Sequence, residues 1–127
     1  MLLAMSLGEI EFQPHWNSFF WTWAAMNLLF TCVSEEAFFR GFIQREVRVG
    51  LGHSRHAGAV AVSVSAVLFG LAHFAGGWSY VVVATLAGAG YALVYERTQR
   101  IELAIAAHFI LNAAHFLLFT YPRVASP

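Results

Sequence analysis

Two adjacent carboxylates, Glu35 and Glu36, with Arg40 four residues on, and two histidines, His73 and His108, the latter followed four residues later by Asn112, are the groups in this sequence best equipped for chemistry. All lie in or at the end of apolar stretches. An ionisable side chain inside a membrane-spanning helix costs about 2.5–3.5 kcal/mol, so its presence there points to function. Glu36 and Arg40 share a helix face and can pair, which offsets part of their desolvation. Glu35 points about 100° away and lacks that partner, which leaves it available as a general base. The competing reading has both glutamates simply meeting water at the helix end. His108 and Asn112 present an imidazole and an amide from one face. Such donors can stabilise a developing oxyanion, each worth about 3 kcal/mol in a low-dielectric site, or they can merely hydrogen-bond between helices. His73 follows Phe69 by four residues, and with Glu35 it supplies a carboxylate and an imidazole able to hold and deprotonate one water. His115 extends the Asn112 face and reads as structural or interfacial. His15, His53 and His56 fall in interfacial segments and carry no signal.

The elements that must position these groups are four apolar stretches, at about 16–33, 57–74, 78–95 and 101–119. Crossing a bilayer as helix takes about 20 mostly apolar residues. A membrane barrel would need alternating ten-residue strands, whereas these runs are continuous and rich in Ala and Leu. Small residues four apart, Ala84 with Gly88 and Ala59 with Ser63, favour close helix approach. The first helix must continue past Arg40, unbroken to about Arg48, to bring the polar groups to one depth. The expected fold is all-α: a polytopic membrane protein with about four transmembrane helices around a polar cavity.

Composition agrees with this. Hydrophobic residues make up 59% of the chain and charged residues 11%, against about 25% charged in soluble domains. A water-soluble globule so composed would expose large apolar patches. The 127 residues suffice for one domain. Seven arginines balance seven glutamates, with no Lys or Asp, so nothing suggests a nucleic-acid partner. Cys32 is the single cysteine; it cannot form an internal disulfide and reads as a packing residue. Arg45, Arg48 and Arg55 follow the first stretch and Arg97 and Arg100 the third, while Arg123 alone opposes them. Basic loops stay cytoplasmic, which places both termini outside. Residues 1–15 contain no basic residue, so no secretory signal is expected.

In order along the chain, Glu35-Glu36-Ala37-Phe38-Phe39-Arg40, Phe69-Gly70-Leu71-Ala72-His73 and His108-Phe109-Ile110-Leu111-Asn112 resemble the E-E-x-x-x-R, F-x-x-x-H and H-x-x-x-N motifs of the CPBP family, the CAAX protease and bacteriocin-processing endopeptidases. The resemblance spans about residues 27–118. It implies an intramembrane glutamic peptidase in which Glu35 activates water with the aid of His73, His108 and Asn112 form the oxyanion hole, and Glu36 and Arg40 support Glu35. Members commonly carry further transmembrane helices around this core, so the chain resembles a minimal member, and a homo-oligomer or partner subunit is an expectation.

The expected function is hydrolysis of a peptide bond in a membrane-anchored protein or peptide, near its C-terminus, without a cofactor. A zinc metalloprotease is the alternative, with Glu35, His73 and His108 as ligands and an open fourth position. Against zinc, no H-E-x-x-H pair shares a helix, and Asn112 beside His108 suits an oxyanion hole. A non-catalytic immunity or scaffold protein would be expected to show a broken motif, and all three are intact. The Arg-only basic set hints at a GC-rich genome and a bacterial inner membrane.

Overall fold

The computed structural model describes residues 5–6, 11–16 and 18–120. Helix α1 occupies residues 20–50, α2 Ala57–Ala72, α3 Gly77–Thr98 and α4 Ile101–Leu118. Two short strands, β1 (Glu11–Phe12) and β2 (Phe119–Thr120), flank them.

Helix α1 begins at Phe20, so Trp16 lies outside it, and it runs past Arg40 to Gly50 as the depth argument requires. It is not uniform. Asn27–Cys32 and Ala37–Gln44 are π-helical, and between them Val33–Glu36, which carries both glutamates, is α-helical. A π turn bonds residue i to i+5 and so shifts which residues share a face. Between α2 and α3 the chain turns through Phe74–Gly76 into Gly77, whose φ of 85° suits a residue without a Cβ. Helix α3 stops where Gln99 turns left-handed, its N–H donating to the Tyr95 carbonyl at 2.8 Å.

The C-terminal half of α1 packs on α2 and its N-terminal half on α4, while α3 lies along α2 and also meets α4. On α3 the expected Ala84 and Gly88 pair is buried. On α2 the expectation fails: Ala59 and Ser63 face outward, and Ala57, Ala61 and Ser65 form the buried stripe. Both sets have four-residue spacing, and a shift of two residues turns a helix by about 200°. Farther along, a Cβ on Gly70 would collide with Thr85 Oγ1 and stand 2.8 Å from the Val81 carbonyl oxygen. Gly70→Ala is therefore expected to lower stability by about 1–3 kcal/mol through overpacking, read as an earlier thermal unfolding of the protein in detergent micelles.

Phe39, Phe69, Ala84 and Tyr91 form the buried apolar core, while Trp21, Phe30, Trp78, Leu86 and Ile110 project outward. That inversion suits lipid as the surrounding solvent. Two helical segments, Phe74–Thr98 and Ile101–Leu118, are long and apolar enough to cross a membrane, and α2 is a shorter apolar helix. The fold is that of an all-α membrane protein, with one addition absent from the sequence reading. Strand β1 pairs antiparallel with β2, Glu11 opposite Thr120 and Phe12 opposite Phe119, tying the segment before α1 to the end of α4. At the opposite end of the bundle, Arg48 Nε donates to Glu96 Oε1 at 3.0 Å and joins the C-termini of α1 and α3. Arg45, Arg48, Arg55, Arg97 and Arg100 thus share one end, and Arg123 lies outside the described residues.

Candidate active site

Glu36 and Arg40 are fully buried and paired, with Arg40 Nε 2.9 Å from Glu36 Oε2. The guanidinium also donates through Nη2 to the Gly88 carbonyl at 2.6 Å. Its carbon lies 4.9 Å from the Phe69 ring centre, 5.6 Å from Tyr91 and 5.9 Å from Phe39. A carboxylate, a carbonyl and aromatic faces together offset the cost of burying the cation. The other Glu36 oxygen, Oε1, accepts from His108 Nδ1 at 2.9 Å. The His108 ring stacks on Tyr91, centroids 4.6 Å apart, and meets the edge of Phe69. These contacts fix the imidazole and turn its Nε2 toward Glu35.

His73 is fixed in the same sense from another helix. It caps the C-terminus of α2, where carbonyls lack helical partners, and its Nδ1 donates to the Phe69 carbonyl at 2.7 Å. Because a carbonyl and a carboxylate only accept, both Nδ1 atoms carry hydrogen, and both Nε2 atoms remain for the site. Glu35 Oε2 stands 4.0 Å from His73 Nε2 and 3.9 Å from His108 Nε2. The three side chains also differ in access: Glu35 is 29% exposed and His73 24%, whereas His108 is 4% exposed. The cluster therefore has a buried, charge-paired floor and an accessible rim formed by Glu35 and His73.

Asn112 lies elsewhere in the site. Its Nδ2 donates to Asn27 Oδ1 at 3.3 Å and approaches Cys32 Sγ at 3.8 Å. Cys32 is fully buried, and its thiol donates to the same Asn27 oxygen at 3.3 Å. His115 stacks against Phe119. Sequence reasoning passed over Asn27, although a polar residue inside an apolar run was signal enough. Gln44 was missed for the same reason; it is fully buried and donates to the Ala92 carbonyl at 3.0 Å. The roles of Tyr91 as a stacking floor and of the Gly88 carbonyl as an acceptor for Arg40 had no signal, since each depends on which helices meet. Among the described residues, no three His, Cys, Asp or Glu side chains close into a metal-holding group.

The family profile described as type II CAAX prenyl endopeptidase Rce1-like matches residues 16–114. The chain belongs to that family. No individual curated protein and no solved structure matches it. The matched span of this Rce1-like chain includes Glu35, Glu36, Arg40, His73, His108 and Asn112, together with all four helices except the last residues of α4. Membership agrees with the CPBP resemblance and makes the chain a protease-family membrane protein, whose substrates are peptides or proteins.

Proposed function

We propose that this Rce1-like chain is a multi-pass intramembrane endopeptidase of the glutamic type, cleaving a membrane-anchored protein or peptide near its C-terminus. The observation that carries the reading is the convergence of the two fixed Nε2 atoms on Glu35 Oε2, at 3.9 and 4.0 Å. Those separations are too long for direct hydrogen bonds and short enough for one water to bridge. Glu35 and His73 Nε2 both accept, so they hold a water by its two hydrogens and leave its lone pairs for attack. Glu35 takes one proton as the water oxygen bonds to the peptide carbonyl carbon. The carbonyl oxygen, now negative, is met by His108 Nε2–H and the Asn112 amide. When the C–N bond breaks, Glu35 returns its proton to the departing amine.

This assignment needs His108 doubly protonated, with Nδ1–H on Glu36 and Nε2–H on the oxyanion. Glu36 and Arg40 act as supports: Glu36, held by Arg40, anchors His108 Nδ1 and so aims the ring.

The zinc reading draws on the same observation, since ligand histidines typically anchor one ring nitrogen and present the other. Tetrahedral zinc with bonds of about 2.0–2.1 Å places ligand atoms about 3.3 Å apart. The 3.9 and 4.0 Å separations are wider than that. Cleavage of a membrane-anchored peptide by the purified protein, with metal content measured in parallel, separates the two. The glutamic site predicts activity within about twofold of untreated enzyme after strong chelation, and Asn112→Ala lowering kcat about 100-fold with little change in KM. Stoichiometric zinc, with activity lost on chelation and restored by zinc, would replace it.

The five arginines at one end of the bundle support a topology with that end in the cytoplasm, and a bacterial inner membrane is part of the same proposal. A cysteine replacing Arg48 in a Cys32→Ala background is expected to resist an impermeant thiol reagent added to intact cells and to react after lysis. Labelling from outside would reverse the topology. A second copy or a partner subunit completing the substrate channel belongs to the same proposal, and crosslinking in membranes tests it.

A further inference from the structure

We infer that Asn27 is a positioning residue for Asn112, and that the first π turn of α1 serves to aim it. The inference rests on the oxyanion role proposed above for Asn112. Asn27 Oδ1 accepts from two donors on two helices: the Cys32 thiol at 3.3 Å, within α1, and Asn112 Nδ2 at 3.3 Å, from α4. In α-helical register, residues five apart point about 140° away from each other. In the π register of Asn27–Cys32 they come together, because the ladder itself runs from i to i+5. Cys32 is fully buried, so its thiol is a fixed donor that holds Asn27 with the oxygen facing α4.

An amide has a donor end and an acceptor end, and only the donor end stabilises an oxyanion. Left alone, Asn112 can turn either end toward substrate. The Asn27 oxygen takes one Nδ2 hydrogen and fixes the plane of the Asn112 amide, while the other hydrogen meets only the Cys32 sulfur, a weak acceptor at 3.8 Å that a reacting carbonyl can displace. Asn112 lies one helical turn from His108 on α4, so an amide held in a fixed plane has less to reorganise when substrate reaches both donors. Such preorganisation is the source of most oxyanion-hole catalysis. Asn27 acts through Asn112 and touches no reacting atom.

The experiment is a double-mutant cycle on the full chain, reading kcat and KM for a membrane-anchored peptide and thermal unfolding of each variant. Asn27→Ala is expected to lower kcat about tenfold with KM within about twofold. Asn27→Asp, which keeps the accepting oxygen, should regain most of that loss. The combined Asn27→Ala, Asn112→Ala variant should be no slower than Asn112→Ala alone, since Asn27 has nothing left to position. Asn27→Leu, close in volume and lacking the acceptor, replaces Asn27→Ala in the cycle should the alanine variant not fold. Losses that multiply in the combined variant, or a wild-type kcat in Asn27→Ala, would overturn the inference alone. An Asn112→Ala variant as fast as wild type would overturn the oxyanion role of Asn112 and this inference together.

Discussion

Glu35→Gln is expected to reduce peptide cleavage by about 10³-fold or more, within the range general bases contribute, while the protein unfolds at the wild-type temperature. The two parts of that result have separate causes. Glu35 is the carboxylate that faces both Nε2 atoms, it reaches the accessible rim, and it is not the partner of Arg40. The amide keeps the size of the side chain and one accepting oxygen but cannot take a proton from water. Single-turnover cleavage measured beside thermal unfolding reads both effects. Turnover above a tenth of wild type would remove Glu35 from its proposed role.

Glu36→Ala and Arg40→Ala are expected to behave in the opposite way, each losing about 3–5 kcal/mol of stability as well as activity, because each strands a buried partner. Without Glu36, the guanidinium keeps the Gly88 carbonyl and its aromatic neighbours but loses its counter-charge, and His108 Nδ1 loses its acceptor. Without Arg40, Glu36 keeps only His108. Domains are stable by about 5–15 kcal/mol in total, so either change consumes much of the margin. Denaturant unfolding in micelles measures the loss. Replacing both residues with apolar side chains of similar volume should restore much of the stability and none of the activity. Equal destabilisation by Glu35→Gln would collapse the division between base and support.

The Glu36–Arg40 pair was legible in the sequence because four-residue spacing fixes a shared helix face whatever the helix packs against. The grouping of Glu35 with His73 and His108 was legible through type and burial: polar groups confined to apolar stretches have few places to go except toward one another. Contacts that depend on helix register were not legible. Asn27 reaches Cys32 and Asn112 only because part of α1 is π-helical, and the apolar pattern around residue 27 is the same for either register. The outward turn of Ala59 and Ser63 was hidden because α2 offers a second set of small residues two positions away. The β1–β2 pair was hidden because strands of two residues have no pattern of their own and exist through tertiary pairing.

The shortness of two helices has a consequence for the surrounding lipid. Helix α2, with 16 residues, and α4, with 18, are about 24 and 27 Å long at 1.5 Å per residue. A typical hydrocarbon core is about 30 Å thick. On the multi-pass reading, the mismatch is greatest at α2, and local thinning of the bilayer accommodates it at a cost that rises with each ångström. His73 stands at the end of the shorter one, on the exposed rim beside Glu35. Thinning there lowers the headgroup layer, and its water, toward the two groups proposed to hold the attacking water. In the proposed reaction, membrane thickness thereby sets how far water must travel from bulk solvent to Glu35 and His73.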